Sequence, residues 1–232
     1  MRGFSAPVLT AAGGEPDGAV RELSLTPWGI KGAVFQKPEV MSINARADSV
    51  FRVQRWRELY RGGHTALIPM SGYVEFVEPR PKFKVPVFIH DDGAPLLTAA
   101  GLVDPEQGFV IMTMDASLAA GEVHTRQPIF IPEDLRQDFL TIGAGRTPGK
   151  GEKDPWKELL TALQDFSRTE TERLQLHAIS RDYNNPSKLG GRLSDPELIA
   201  PDPEMQHIID TEHYEPALSP KERAAAKKNT KA

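Results

Sequence analysis

The sequence predicts an α+β fold, a single domain in which helices flank a mostly antiparallel, curved sheet. Between residues 64 and 116, short β-rich segments follow one another, with connections too short for the helical crossovers that parallel strands need. Two other segments, residues 48–63 and 154–166, carry apolar residues at helical spacing. The chain has 232 residues, which is enough to bury a sizeable core.

The first predicted elements follow a turn-rich stretch at residues 11–18. Residues 19–25 are predicted to form a short strand, and residues 48–63 an amphipathic helix. Asp48 or Ser49 is expected to cap the start of this helix and Gly62 to end it. The apolar stripe that should face the core comprises Val50, Val53, Trp56 and Tyr60.

The remaining elements are predicted from alternation, helical periodicity and Pro or Gly boundaries. Strands are predicted within residues 64–78, 84–90, 95–103, 108–116 and 174–180. Helices are predicted at residues 131–140, where Pro132 stands near the start, and at residues 154–166. We expect the domain to span residues 1–203 and residues 204–232 to form a charged, flexible extension.

Composition narrows the possible classes of function. The chain contains no Cys, which excludes disulfides, thiolate metal sites and a cysteine nucleophile. It shows no Ser–His–Asp pattern and no metal-ligand spacing, so we expect no protease site, no metal and no cofactor. No stretch approaches the ~20 apolar residues that cross a bilayer, and no signal peptide is evident. We therefore expect a cytoplasmic protein without membrane contact, nucleoid-associated if it binds DNA.

Charge is unevenly distributed along the chain, although the net charge is only -4. Residues 44–84 are rich in Arg and Lys, whereas residues 85–140 are rich in Asp and Glu. The basic segment could attract a polyanion such as DNA, or it could be a solvated helix surface. The acidic segment, or the basic tail that ends the chain, could instead bind a protein partner.

Polar residues on two predicted extended segments do not fit an ordinary core. Glu75 interrupts an apolar strand, where an unpaired carboxylate would be costly. Three interpretations are open: Glu75 lies on the exposed face of an edge strand, it pairs with a nearby Arg, or it belongs to a functional site. His124 and Arg126 are two residues apart, which places both on one side of an extended chain. His124 could also be a surface loop residue, and Arg126 could form a structural ion pair with a nearby acid.

Three further positions lie nearer the start of the chain. Asn44 and Arg46 alternate just before the first predicted helix, where a turn and N-cap region is the simple interpretation. Trp28 stands in a Pro-Trp-Gly sequence, and core packing is its simple interpretation. Their order along the chain, considered with Glu75 and His124, favours a functional interpretation.

Five stretches resemble, in the same order, the motifs of the SOS-response-associated peptidase (SRAP) family. The family's Trp-Gly and Asn-Ala-Arg-Ala-Glu motifs resemble PWGI at residues 27–30 and NARAD at residues 44–48. Its Ile-Pro-x-x-Gly-Phe/Tyr-x-Glu-Trp and His-x-Arg-Met-Pro motifs resemble residues 67–76 and 124–128. Its closing segment resembles residues 178–199, so the resemblance covers about residues 1–203.

The resemblance implies a sensor of abasic sites in single-stranded DNA. In the family, an N-terminal Cys forms a thiazolidine crosslink with the aldehyde of the opened sugar. By resemblance, Glu75 assists at the amine and in ring opening, and His124 transfers a proton at the sugar oxygen. Asn44 and Arg46 would hold the N-terminal residue and the DNA backbone. Arg126 would hold the backbone or order the carboxylate, and a guanidinium suits either task.

The opening of the chain departs from the family at the position of the catalytic Cys. The residue there is Arg2, and no Cys occurs elsewhere, so the thiazolidine cannot form. We expect Met1 to remain, because its removal generally requires a small second residue. The reactive end would then offer only an α-amine beside a bulky Arg2. The milder departures are Asp48 for Glu, Phe76 for Trp and Gln127 for Met.

Three hypotheses follow, none of which includes crosslinking. The protein could be a divergent SRAP-like module that binds single-stranded or abasic DNA, with Arg2, Trp28, Arg46 and Arg126 at the DNA. It could be a residual abasic-site lyase, in which the Met1 amine forms a Schiff base. It could also be a non-enzymatic interaction or structural protein built on the same fold.

Overall fold

A computed structural model describes residues 5–12, 20–32, 39–93, 96–144, 148–149, 151–185 and 195–212. The chain divides into two compact units. The first unit comprises Met1–Met70, Leu96–Met114 and Pro128–Glu170, and the second comprises Ser71–Pro95, Asp115–Gln127 and Thr171–Ala232. No helix among the described residues is long and apolar enough to cross a membrane.

The structure contains the following elements. The strands are β1 (Ser5–Ala12), β2 (Val20–Pro27), β3 (Ile30–Lys31), β4 (Met41–Ser42), β5 (Asn44–Arg46), β6 (Thr65–Met70), β7 (Gly72–Arg80), β8 (Phe83–His90), β9 (Leu97–Asp104), β10 (Gly108–Asp115), β11 (Arg126–Pro128) and β12 (Gln175–Ala178). The α-helices are α1 (Gln54–Arg61), α2 (Leu118–Val123), α3 (Arg136–Thr141), α4 (Pro155–Glu170) and α5 (Pro203–Thr211).

The first unit is built on a sheet with the strand order β10-β9-β6-β1-β2. Every neighbouring pair along this path is antiparallel. Strand β5 is the exception, because it runs parallel to β10 and places Asn44 opposite Ile111 and Arg46 opposite Thr113. The fold class predicted from sequence, a mostly antiparallel sheet flanked by helices, is therefore confirmed.

The apolar faces of the helices bury large side chains in the core of the first unit. Trp56 and Tyr60 of α1, Phe139 of α3, and Trp156 and Leu163 of α4 are all almost fully buried. The Tyr60 hydroxyl donates a hydrogen bond of 3.0 Å to the Trp156 carbonyl. Burial raises the pKa of Tyr60, so this donor keeps its proton.

The second unit is built on a three-stranded antiparallel sheet in the order β12-β8-β7. A tight turn joins β7 to β8, and Lys82 in that turn has a left-handed backbone with φ 64. Gly72 opens β7 at a close approach, since a Cβ there would lie 2.5 Å from the Ile89 carbonyl oxygen. Among the described residues β7 is an edge strand of this sheet, so Glu75 lies at a sheet edge, but its side chain is half-buried and not exposed as one interpretation of the sequence expected.

The first helix begins later than the sequence predicts, and the residue expected to cap it forms a different contact. The predicted helix 48–63 is divided into a 3₁₀ turn at Ala47–Ser49 and α1, because Val53 has an extended backbone with φ -78 and ψ 118. Asp48 forms an ion pair with Arg46 and does not cap the helix. Gly62 ends α1 as predicted.

The later helices also shift relative to the prediction. The predicted helix 131–140 begins as a 3₁₀ turn at Glu133–Leu135 and continues as α3. The predicted helix 154–166 is α4, which continues to Glu170. Strands β1, β3, β4 and β5 and helices α2 and α5 were not predicted.

Candidate functional site

Glu75 lies on β7 of the second unit, opposite Val87 of β8. Its side chain is half-buried, and this burial raises the pKa of its carboxyl group. The neighbouring His124 imidazole acts in the opposite direction and lowers that pKa. Burial also raises the pKa of the Tyr73 hydroxyl, with a further contribution from the Glu75 charge. A carboxyl, an imidazole and a phenol therefore interact at one place in the second unit.

His124 directly follows α2, and the backbone of Arg126 orients its ring. The His124 N–H donates to the Ala120 carbonyl over 3.0 Å, as the C-cap of α2. The Arg126 N–H donates to His124 Nδ1 over 3.1 Å, which leaves the proton of a neutral ring on Nε2. The Arg126 carbonyl oxygen lies 3.3 Å from the same Nδ1 and can accept its proton when the ring is protonated. Either protonation state of His124 thus has a backbone partner.

The Arg126 side chain forms an ion pair with Asp115. The Arg126 side chain is only 12% exposed, whereas that of Asp115 is 86% exposed. The structure therefore contains the ion pair that was one of the two interpretations of Arg126. The two-residue spacing of His124 and Arg126 also lets the Arg126 backbone N–H bind the His124 ring.

Gln127 anchors the segment that carries His124. This side chain is almost fully buried. Its Oε1 accepts from the Ser117 N–H over 2.9 Å, and its Nε2 donates to the Thr171 hydroxyl over 2.8 Å. Both ends of the amide are therefore paired, and the chain entering β11 is fixed on two sides.

Asn44 and Arg46 lie on β5 of the first unit, with the fully buried Ala45 between them. Asn44 is exposed and Arg46 is half-buried. The Arg46 guanidinium donates two hydrogen bonds to Asp48, from Nε over 3.1 Å and from Nη2 over 2.9 Å. This forked contact presents the guanidinium in a fixed orientation.

Trp28 is half-buried in the first unit and is held on two sides. Its indole N–H donates to the Ile43 carbonyl over 2.9 Å. Its ring lies nearly parallel to that of Phe109, at a centroid distance of 6.3 Å and an angle of 11°. Because Ile43 directly precedes Asn44, the indole braces the start of β5. Trp28, Asn44 and Arg46 therefore form one group in the first unit.

Carboxylates oppose much of the positive charge within residues 44–84. The ion pairs of this segment in the first unit are Arg46–Asp48, Arg52–Asp48, Arg55–Asp104 and Arg61–Asp154, and Arg80–Glu212 lies in the second unit. A solvated, internally paired surface therefore accounts for a large part of this segment. The cations that remain available to a polyanion are fewer than the sequence count implies.

The two N-terminal positions, Met1 and Arg2, lie outside the described residues. Among the other predicted site residues, Glu75, His124 and Arg126 come together in the second unit. Sequence reasoning did not assign roles to Tyr73 or Asp115. Tyr73 was detectable, because it lies two residues before Glu75 on a strand and therefore on the same face. Asp115 has no comparable local signal.

Two histidines that showed no sequence pattern form a hydrogen-bonded pair in the second unit. His90 Nε2 lies 3.1 Å from His177 Nδ1, and His90 Nδ1 lies 3.0 Å from Asp92. His177 Nε2 lies 2.8 Å from the Ile199 carbonyl oxygen. These rings pack and pair across β8 and β12, so packing accounts for both. No group of side chains within the described part of the chain could hold a metal ion.

Three solved structures resemble the fold of this chain. A protein from Bacteroides thetaiotaomicron has a TM-score of 0.59 at 19% identity, covering 85% of this chain and 81% of its own. A protein from Bordetella bronchiseptica has a TM-score of 0.52 at 18% identity, covering 76% and 84%. A phage-related protein from the same organism has a TM-score of 0.53 at 22% identity, covering 77% and 79%. At these identities the likeness supports the fold alone.

The curated proteins contain no match to this chain. The profile of the family described as "SOS response associated peptidase (SRAP)" matches residues 3–186. The match includes the first four motif stretches in full and residues 178–186 of the closing segment. The resemblance inferred from the motifs is thereby confirmed, and the chain, which contains no Cys, belongs to the SOS response associated peptidase family.

Proposed function

We propose that the protein binds single-stranded DNA and recognises abasic sites in it without forming a thiazolidine crosslink. Membership of the family supports a general role in DNA damage. The observation that carries the proposal is the Glu75–His124 pair, a half-buried carboxyl beside an imidazole. Perturbed titratable groups of this kind are typical of sites that handle protons on a ligand.

Crosslinking is left out because its chemistry needs a thiol. A thiazolidine forms when an amine and a thiol of one residue both bond to the same aldehyde carbon. The 232 residues contain no Cys, so the second bond cannot form. What remains available is reversible binding, or addition of an amine alone.

In the proposed complex, the pair in the second unit faces the deoxyribose. Glu75, whose pKa is raised by burial, donates a proton to the ring oxygen as the sugar opens. His124 accepts the proton that the C1′ hydroxyl loses as the aldehyde forms, and its ring has a backbone partner in either state. Arg126 would hold the adjacent phosphate or keep the carboxylates ordered.

The group in the first unit would hold the DNA strand. Arg46 presents a planar guanidinium suited to phosphate, and Asn44 offers an exposed amide beside it. The Trp28 ring would stack on a base, which is a sequence-tolerant contact. Arg2 would add a phosphate contact next to the α-amine of Met1.

Binding to a single-stranded oligonucleotide with one abasic site, beside an intact control, tests the proposal. Fluorescence anisotropy at low salt should show binding to both, with a preference for the abasic strand and a steep salt dependence. Arg46→Ala should weaken binding to both strands, whereas Glu75→Gln should reduce only the preference for the abasic strand. Arg168→Ala, which removes an exposed charge on α4, is the matched control. Absence of binding at low salt would reject the proposal and favour a non-enzymatic interaction protein.

A second candidate, a residual lyase, is favoured by the same Glu75–His124 pair. An α-amine, unperturbed, has a pKa of about 7.7–8.0, so a useful fraction is neutral near physiological pH. Its nitrogen adds to the sugar aldehyde, and loss of water assisted by an acid gives an iminium. A base then removes a proton from C2′, the C3′–O bond breaks and the 3′ phosphate departs. Water hydrolyses the imine and restores the amine.

Borohydride trapping distinguishes the two candidates. Reduction of the iminium would leave a covalent protein–DNA band on a denaturing gel, and strand cleavage is scored in the same lanes. Mass spectrometry of the trapped peptide should identify the terminal amine, expected on Met1. The lyase candidate requires a band that weakens in Glu75→Ala and His124→Ala. Good DNA binding without band or cleavage eliminates the lyase and leaves the binding module.

A further inference from the structure

The turn between β7 and β8 carries an aromatic ring contacted by two guanidinium groups. The Arg80 guanidinium carbon lies 4.3 Å from the Phe83 ring centroid, and that of Arg181 lies 3.9 Å from it. Arg80 and Phe83 are also paired across the hairpin. Contacts at these distances are cation–π interactions, which hold both guanidinium groups beside the ring.

Backbone contacts fix the cations around this ring. Arg181 Nε donates to the Lys84 carbonyl over 3.1 Å, and Asn184 Nδ2 donates to the same oxygen over 3.3 Å. The Lys82 N–H donates to Glu78 Oε1 over 2.8 Å, which supports the left-handed residue in the turn. The segment 181–184 is thereby tied to β8, and the cations of both segments form one surface. We call this surface the basic hairpin: Arg80, Lys82, Phe83, Lys84 and Arg181.

The basic hairpin is exposed and positively charged. Its four cations are exposed in the second unit, and Phe83 is half-buried beneath them. The acids near them are Glu78, Asp182 and Glu212, and Arg80 forms a long ion pair of 3.5 Å with Glu212. Such a contact at the surface contributes little and can be exchanged for a stronger anion.

We propose that the basic hairpin binds the phosphate backbone of single-stranded nucleic acid, outside the Glu75–His124 site. This inference rests on the proposed function, because it extends the strand beyond the sugar being recognised. Guanidinium groups that stack on a ring turn their N–H edges outward, where they can fork onto phosphate oxygens. Lys82 and Lys84 add point charges beside them. An acidic polypeptide would also satisfy the charge, and the competition experiment below distinguishes it from nucleic acid.

The test compares charge-matched double variants in binding to an intact single-stranded oligonucleotide. Lys82→Ala/Lys84→Ala removes two cations without touching the Phe83 contacts, and Lys153→Ala/Arg168→Ala removes two exposed cations from the first unit. The hairpin variant should reduce the slope of log affinity against log salt by about 1.4, since each phosphate contact to a single strand contributes about 0.7. The control variant should keep the wild-type slope and affinity. Arg181→Ala should reduce the slope by about 0.7 on the same basis.

Three results would overturn the inference, and they differ from one another. Wild-type binding with an unchanged slope in Lys82→Ala/Lys84→Ala would reject the basic hairpin while leaving the proposed function intact. No wild-type binding at low salt would reject both. If polyglutamate competed as effectively as the oligonucleotide, the basic hairpin would be a surface for anions in general and not for nucleic acid. Circular dichroism of each variant establishes that the fold is unchanged.

Discussion

Replacing Glu75 with Gln should stabilise the protein at neutral pH while impairing its chemistry. Burial raises the pKa of the Glu75 carboxyl in the folded protein, so ionisation of this group opposes folding. Gln has the same shape and cannot ionise. The His124 ring lowers the pKa of Glu75, but burial is the larger effect.

The direction of the pH dependence follows from proton linkage. A raised folded pKa means that the folded protein holds this proton to a higher pH than the unfolded chain, where a Glu titrates at about 4.3. The contribution to stability is fully present below that pH and is lost as pH rises through the folded pKa. The stability of Glu75→Gln relative to wild type should therefore increase from acidic to neutral pH. The increase should amount to about 1.4 kcal/mol for each unit by which the folded pKa exceeds the unfolded one.

Two independent measurements test this prediction, because each gives the pKa difference of Glu75 between the folded and unfolded states. Urea denaturation at several pH values gives the difference in unfolding free energy, and NMR titration of the Glu75 carboxyl gives its folded pKa. The two should agree through the factor of about 1.4 kcal/mol per unit. Glu122→Gln, at an exposed position on α2, is the matched control and should show no such trend. A stability difference that does not grow with pH would refute the interpretation that burial dominates at Glu75.

The same variant bears on chemistry, and other variants test its surroundings. If the iminium is trapped in the wild type, Glu75→Gln should reduce its rate of formation by about 10²–10⁴-fold, the range for a lost general acid–base group. Asp48→Asn should strengthen binding to single-stranded DNA, because it releases Arg46 and removes a negative charge, and anisotropy at two salt concentrations measures this; unchanged affinity would argue against Arg46 as a DNA contact. Arg55→Ala should lower the unfolding free energy by about 1–3 kcal/mol, since it leaves the buried Asp104 carboxylate without its cation. Burial alone would raise the pKa of Asp104, but its hydrogen bonds, that from Arg55 foremost, outweigh this effect and lower the pKa. The loss of unfolding free energy in Arg55→Ala, measured by urea denaturation, should therefore be largest above about pH 4 and smaller in acid.

The strands and the long helix could be predicted because their patterns are local. The apolar positions of α4 recur at helical spacing, and Pro and Gly bound the strands between residues 64 and 116. The start of α1 could not, because the apolar helical spacing continues through Val53, whose backbone is extended. The parallel pairing of β5 with β10 is equally non-local.

The candidate site divides in the same way. Glu75 was detectable because a carboxyl in an apolar strand conflicts with its surroundings, and His124 because of its motif. The ion pair of Arg126 with Asp115 joins residues eleven positions apart on different elements. The pairing of Arg46 with Asp48 is local, yet helix capping was an equally good use of Asp48 in the sequence. Whether Asp48 caps the helix or pairs with Arg46 is therefore decided by the backbone conformation around it.

The physical cost of Glu75 supports the proposed ligand-binding site over an inert scaffold. A half-buried carboxyl whose pKa is raised by burial destabilises the folded protein at neutral pH, and an apolar or amide side chain would fit the edge strand without that cost. A structural role for Glu75 would require a strong cationic partner that lowers its pKa below the ordinary value, as Arg55 and its neighbours do for Asp104. His124 does not achieve this. The two carboxyl groups therefore differ in environment: hydrogen bonds lower the pKa of Asp104, whereas burial raises the pKa of Glu75, as the proposed proton transfer requires.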